Sequence, residues 1–556
     1  MTETDKTASG SHERDPRDSD ATASGDAAGD AAGDAAGDAA GDAAGDAAGS
    51  ETPGAQLQQA LPQTPEADAR ADAHRAHLGR SLTHGVAWMG SAKWMSQLFT
   101  WVSTIVVARL LTPEDYGLVG LAMLFLGVVT LFSEFGIGTT VVTLRDLSDE
   151  QLAEVNTLAL LLGLAGFALS CAAAPLLARY FDAPNLTLVV IAMASNFIIS
   201  STGVVPRAML QRELRFRDLA LNDGLQALTL AVGSVAFAML GFRYWTLVLS
   251  AVLGTTFAAV AARRLVPVRY RWPRWEALAP AVRFSRQTIV GRLSWYVYSN
   301  ADFFVAGKLL GKDALGAYRF AWDLANAPGE KVTSLVGGVT PGVLSAAQHD
   351  PSALRRIALR VTEALSLITL PACIGLALVA NNLVPLVLGE KWLEMVAPLQ
   401  ILGLAAALRS VTPILPQILV VIGRNRDMMR VNLVGAIVMP LAFLFGSRWG
   451  TTGIAIGWLT AYPLCVALPM AWLALRSMSL PVLTYLRAFS ASGTGIAVMT
   501  VAVLAARQLQ PVDAGRLAAL MLDVAVGALS YASSLFLFHR DSIMALVQRV
   551  RSALRR

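Results

Sequence analysis

Cysteine is nearly absent from this 556-residue chain, and the three present, Cys171, Cys373 and Cys465, fall in separate apolar stretches. Thiols so few and scattered build no disulfide framework and match no metal-ligand spacing, so they read as small buried apolar side chains. Charge is scarce too: Asp, Glu, Lys and Arg make up 15% of the chain, and lysine supplies only six of its 45 basic residues. The six histidines do not cluster, and neither a zinc-binding His/Glu helix nor a serine nucleophile elbow occurs. The segment Gly307 to Lys312 (GKLLGK) has three residues between its glycines and Asp313 where an ATP-binding loop needs Ser or Thr. These absences exclude a disulfide scaffold, a metallohydrolase and a built-in ATPase. No metal, cofactor or catalytic residue is expected, and the chain does not read as an enzyme.

What the chain has instead is hydrophobic length. Apolar residues make up 54% and the mean hydropathy is +0.52, well outside soluble globular composition. A bilayer core needs about 20 apolar residues per helix. Fourteen spans are expected at 84–109, 116–140, 154–178, 186–206, 219–241, 244–262, 286–309, 315–344, 361–388, 396–422, 428–446, 450–475, 488–508 and 516–538. Their connectors are too short for an extramembrane domain. Residues ahead of the first span are polar, so that span is expected to serve as an uncleaved insertion signal. Within residues 1–80, Gly25 to Ala48 is six copies of Gly-Asp-Ala-Ala, a low-complexity composition that cannot bury enough surface to order itself.

Arginine placement sets the expected topology. Alternate loops collect Arg207, Arg212, Arg215 and Arg217; then Arg263, Arg264, Arg269, Arg271, Arg274 and Arg283; then Arg355, Arg356 and Arg360; then Arg424, Arg426 and Arg430. The intervening loops hold singles or pairs such as Arg179, Arg243, Lys308 with Lys312, Lys391 and Arg448. The positive-inside rule puts both termini in the cytoplasm. Topology accounts for these loops, and no nucleic-acid partner is expected.

The first span carries a polar stripe, Lys93, Ser96, Gln97, Thr100 and Thr104, on one helical face. In lipid such a stripe faces protein or a wet cavity. An internal repeat reproduces it. Arg109-Leu-Leu-Thr-Pro-Glu-Asp-Tyr-Gly117 recurs 199 residues later as Lys308-Leu-Leu-Gly-Lys-Asp-Ala-Leu-Gly316. The same offset places Lys93 on Arg292, and Ser96, Gln97 and Thr100 on Trp295, Tyr296 and Ser299. Six spans separate the copies, so the halves run parallel, as in one class of alternating-access carriers. The expected fold is an all-α polytopic membrane protein. Its parts are a disordered tail 1–80, a first lobe with its basic connector 81–283, a second lobe 284–476, two further helices in 477–540 and a basic tail 541–556. Kinks are expected at Pro328-Gly329, Pro371, Pro413, Pro416, Pro440, Pro463 and Pro469.

An ionisable side chain at the centre of a membrane helix costs about 2.5–3.5 kcal/mol, which points to function or to pairing. Lys93 and Arg292, on corresponding helices, and Arg409 in the tenth span are candidates to bind a phosphate or pyrophosphate; structural ion pairing is the alternative. Ser96, Gln97, Thr100, Trp295, Tyr296 and Ser299 would line the same cavity, and Trp295, Tyr296 and Trp322 could stack on a sugar. Asp302 and Asp323 are candidates for ion coupling, although Arg319 and Asp323, four residues apart, can form a simple helix ion pair. Glu134 is a candidate gate residue. Asp223 and Asp523 are expected near the membrane interfaces.

Residues 106–138 (VVARLLTPEDYGLVGLAMLFLGVVTLFSEFGIG) and 300–328 (NADFFVAGKLLGKDALGAYRFAWDLANAP) resemble the two signature regions of the oligosaccharide flippase family, the Wzx-type polysaccharide exporters. This resemblance implies a fourteen-helix member of the multidrug/oligosaccharidyl-lipid/polysaccharide exporter superfamily in a bacterial inner membrane. Its substrate would be an undecaprenyl-pyrophosphate-linked oligosaccharide, moved between leaflets through a cationic cavity. Its partners would be membrane lipids, a polysaccharide polymerase and a chain-length regulator. A cation-coupled multidrug exporter of the same superfamily and a membrane-embedded polysaccharide polymerase or ligase are the alternatives. The first would need an intramembrane carboxylate as its main site, and the second a large outer loop.

Overall fold

A computed structural model of the protein describes Gln97 and residues 99–133, 137–143, 147–273, 293–337, 340–348, 350–511 and 515–540. The expectations for the two tails and for Lys93, Ser96, Glu134 and Arg292 lie outside the described residues. Those described all belong to one compact unit, Gly85–Arg556.

The described residues are helical throughout their membrane-spanning parts. In chain order the first half contains α1 Phe99–Leu110, α2 Pro113–Ser133, α3 Ile137–Thr143, α4 Asp149–Tyr180, α5 Leu186–Arg212, α6 Phe216–Met239 and α7 Trp245–Leu265. The second half contains α8 at 293–309, α9 Gly311–Gly337, α10 Thr340–Ala346, α11 Pro351–Leu383, α12 Val396–Ser410, α13 Ile414–Val421, α14 Asn425–Gly446, α15 Gly450–Tyr462 and α16 Leu468–Ser477. The short α17 Val482–Arg487 leads to a final hairpin, α18 Ser490–Leu509 and α19 Arg516–Phe538. Ten segments among the described residues are long and apolar enough to cross a membrane. One of them, Asn425–Ser477, turns back at Ser447–Trp449, where Gly446 meets the Gly453 backbone, and so holds two antiparallel arms. Helices α1, α8 and α9 fall outside that set, the first two because their described residues, 99–110 and 293–309, number fewer than a full span and α9 because charges interrupt its apolar surface.

Local chemistry sets the element ends. Thr112 and Asp115 cap α2 reciprocally: the Thr112 amide and hydroxyl donate to Asp115 Oδ2 at 3.0 and 2.9 Å, with Pro113 at the first helical position. Ser148 and Gln151 form the corresponding box on α4. The prolines act unequally. α12 stops at Ser410 and α13 starts after Pro413, breaking the tenth span at mid-length. A single π-type turn covers Pro463–Ala467. By contrast Pro328, Pro371 and Pro440 sit inside uninterrupted helices, so of the bend or break expected at Pro328-Gly329, no break occurs.

Burial runs opposite to that of a soluble protein. On α14 the exposed side chains include Leu433, Ile437, Leu441 and Leu444, while Asn432, Gly435 and Gly446 lie inward beside Val431, Met439 and Phe443. Lipid is as apolar as leucine, so small and polar residues join the apolar ones in the packing between helices. Cys373 is buried against α9, and Cys171 and Cys465 are half-buried, so the expectation of full burial holds for one of the three. The final hairpin docks on α11, where Tyr531 donates to the Leu367 carbonyl at 2.8 Å. The start of the basic connector, 266–273, is tied to the beginning of α4 by an Arg271–Glu150 ion pair and by the Asn156 amide donating to the Arg269 carbonyl.

Candidate functional site

The two copies of the repeat meet each other directly. A Cβ on Gly117 would overlap the Lys312 carbonyl, and a Cβ on Gly316 would overlap the carbonyl of Pro113. Pro113 and Lys312 are themselves partners under the 199-residue offset, so the contact is reciprocal, as it must be across a pseudo-twofold axis. Only glycine lets two backbones approach so closely.

The same end of the molecule is stitched by cations that reach from one half to the other. Lys308 donates to the carbonyl of Tyr180, the last residue of α4, and lies 3.4 Å from Asp182. Its repeat partner Arg109 donates to the carbonyls of Leu386 and Val387, just beyond α11. Lys391 caps the end of α1 through the Arg109 and Leu111 carbonyls, Trp392 donates to the Ala108 carbonyl at 2.9 Å, and Lys312 pairs with Glu114 at 2.5 Å. Helix C-termini leave unpaired carbonyls at the negative end of the dipole, and Lys308, Arg109 and Lys391 each satisfy one such end in the opposite half.

Away from this seam a cavity of about 1600 Å³ opens. The sequence points to a cavity shared by the two halves; among the described residues the walls of this one come from the second half, from α8, α9, α12 to α14 and the Tyr462–Met470 region. Arg424, Arg426 and Arg430 stand on its walls near the start of α14, and Asp427 among them pairs with Arg430 at 3.2 Å and Arg424 at 3.8 Å. The break between α12 and α13 supplies one wall and leaves Arg409 in the last turn of α12, where the helix dipole favours a cation.

Arg409 is held by aromatic faces. Its guanidinium carbon lies 4.3 Å from the Trp322 ring centre, 4.6 Å from that of Trp458 and 5.8 Å from that of Tyr462. One terminal nitrogen donates to Asn326 Oδ1 at 3.4 Å. No ion pair to Arg409 occurs among the described residues, so its charge rests on π faces and one amide. Cation–π contacts are worth about 0.5–2 kcal/mol, rising with desolvation, and Arg409 is half-buried. Beneath the cage lies Asp302, fully buried, accepting from Trp458 Nε1 at 2.8 Å, the Tyr318 hydroxyl at 3.0 Å and the Phe303 amide at 2.9 Å.

The structure distributes the other sequence candidates as follows. Trp295 lines the cavity with half its surface free. Tyr296 turns to the seam, donating to the Leu124 carbonyl at 2.7 Å over Gly127. Ser299 is half-buried and not on the cavity wall. Gln97 and Thr100 are half-buried on the stripe of α1. Trp322 is buried under Arg409 and presents no free face for a sugar. Arg319 and Asp323 pair within the helix at 3.3 Å, with Arg319 also over the Phe303 ring at 4.6 Å.

Two features escaped the sequence. Trp458 and Tyr462, one helical turn apart on α15, complete the Arg409 cage; their i, i+4 spacing is the signal that could have found them. Asp523, expected near an interface, is buried. It pairs with Arg507 at 2.8 Å and accepts from Asn382 and Gln510, while Arg507 also donates to the Leu378 carbonyl. The charge pair ties the two arms of the hairpin together, and its hydrogen bonds to Asn382 and the Leu378 carbonyl pin them to α11. Asp223 keeps a half-exposed pair with Arg207 at 2.8 Å.

Together these features define a polytopic helical carrier: parallel repeats, one stitched end and a cation-bearing cavity. The chain belongs to the family described as "Polysaccharide biosynthesis protein", whose model matches residues 106–397. It is 24% identical over 367 residues to the lipopolysaccharide biosynthesis protein WzxC of Escherichia coli, covering 64% of this chain and 74% of that one. It is 22% identical over 484 residues to the succinoglycan biosynthesis transport protein ExoT of Rhizobium meliloti, covering 85% and 96%. Among solved structures, the lipid II flippase MurJ in an inward closed conformation superposes with a TM-score of 0.66 at 14% identity, covering 82% of this chain and 99% of that one. An inward-facing multidrug resistance transporter of the MATE family gives 0.59 at 17% identity, covering 69% and 94%. These two likenesses establish the fold.

Proposed function

We propose that this protein is a flippase that carries lipid-linked oligosaccharide repeat units across a bacterial inner membrane for surface polysaccharide synthesis. The observation that carries the reading is Arg409, a guanidinium without an ion-pair partner among the described residues, on the wall of a membrane-embedded cavity. Membership of a polysaccharide biosynthesis family and the names of WzxC and ExoT supply the substrate class. A pyrophosphate is the natural counter-ion for a cation held in low dielectric. Here it sits against Arg409, with Lys93 and Arg292 as further cations, while the sugars occupy the wet cavity and the polyprenyl tail stays in lipid.

With the arginine-rich loops inside, the stitched end is periplasmic and the cavity mouth near Arg424 is cytoplasmic. The two lobes, 81–283 and 284–476, rock about the Gly117–Gly316 crossing to expose the site to each leaflet in turn. The hairpin within 477–540 travels with the second lobe. A polymerase and a chain-length regulator take over the product outside.

The test is chromosomal replacement of Arg409, Lys93 and Arg292 by alanine, one at a time. Each variant is expected to lose surface polysaccharide at unchanged protein level. Normal polysaccharide from all three would remove the site.

A further inference from the structure

We propose that Asp302 and Trp458 are positioning residues for Arg409, a role that rests on reading the cavity as the pyrophosphate site. The three form a stack. The Asp302 carboxylate takes the indole N–H of Trp458 at 2.8 Å, and the face of that same indole takes the Arg409 guanidinium at 4.6 Å. Trp458 is almost wholly buried and is packed by Trp322 at 4.7 Å and Phe443 at 5.4 Å between ring centres. Its hydrogen bond to Asp302 sets which edge of the ring faces the carboxylate.

The contacts of Asp302 argue for an anchor. A metal cation binds to lone pairs, yet every group touching this carboxylate presents a hydrogen: an indole N–H, a phenol O–H and an amide N–H. Three donors converge on it, and no cation is in contact with it among the described residues. Donation to a carboxylate also enriches the indole face, and a richer face holds a cation more firmly. Arg409 is thus kept off any carboxylate and leaning on the cavity wall, with the entropy of a long side chain already spent. A site prepared in this way binds its anion more tightly than a free arginine.

The experiment uses the full chain in lipid nanodiscs, with geranyl pyrophosphate as the probe and calorimetry as the readout. Arg409→Gln is expected to weaken binding about tenfold or more, and Trp458→Phe and Asp302→Asn each about fivefold to tenfold. The decisive measurement places each of the latter two in the Arg409→Gln background, where a positioning role leaves no further loss. Losses that persist undiminished there would mean a general packing role and overturn the proposal. Wild-type affinity in both Trp458→Phe and Asp302→Asn, with Arg409→Gln still weakened, would overturn it while leaving the cavity reading intact. Failure of Arg409→Gln to weaken binding, or no binding by the wild type, would bring down the cavity reading itself.

Discussion

At the scale of single residues, the identity of a cation matters more than its charge. Arg409→Lys keeps the charge but loses the planar group that lies across Trp322 and Trp458. The loss expected is about 1 kcal/mol of headgroup binding, several-fold in affinity, measurable by calorimetry with geranyl pyrophosphate. The Arg507–Asp523 pair is a different case, because Asp523 is buried and has no role in the cavity. Asp523→Ala leaves Arg507 unpaired and is expected to cost about 3–5 kcal/mol, whereas replacing both by apolar residues of similar size recovers much of it. Thermal melts in detergent distinguish the two outcomes. Arg409 stood out in the sequence as a charge inside an apolar span, and Trp295 as an aromatic residue on a polar stripe. Trp458 did not, since an indole inside an apolar run reads as core until its N–H partner is known. The pairing of Asp523 was not legible for a related reason: its partner lies on another helix.

Among elements, the crossing of α2 and α9 is the most constrained contact. Gly117→Ala or Gly316→Ala drives a methyl into a carbonyl of the opposite helix. Each is expected to cost about 1–3 kcal/mol through overpacking, read as a lowered melting temperature together with reduced polysaccharide export. The cationic stitches beside it predict a separate result. Arg109→Ala combined with Lys308→Ala uncaps the ends of α4 and α11 in both directions. A cysteine introduced at Val387, with the three native cysteines replaced, is then expected to react faster with a maleimide than in the parent. An unchanged rate would mean that apolar packing alone closes that end. The repeat was readable because glycines and charges recurred at one offset. Which prolines break helices was not, because a proline in a span is tolerated or breaks it according to what its neighbours supply to the freed carbonyl, as Thr412 does for that of Arg409 at 2.9 Å.

For the whole molecule, the arrangement is closed at one end and open at the other. A cysteine at Asn425, near the cavity mouth, is expected to label with a membrane-impermeant reagent in inverted vesicles but not in intact cells, and one at Val387 to stay protected from both. Labelling of Asn425 from the cell exterior would reverse the topology assigned from the arginines. The sequence by itself determined the class of protein. Hydropathy, loop arginines and the repeat follow from the cost of placing charge and bare backbone in lipid, and that cost acts residue by residue along the chain. Only the tertiary structure decided that the described residues of the cavity wall come from the second half, that Tyr296 seals a seam while Trp295 faces the opening, and that Asp302 sits beneath the cage of Arg409. Those outcomes depend on which helix faces lie together, and in a bilayer the hydrophobic effect, equal on every side, does not choose between faces; close packing and hydrogen bonds between helices do.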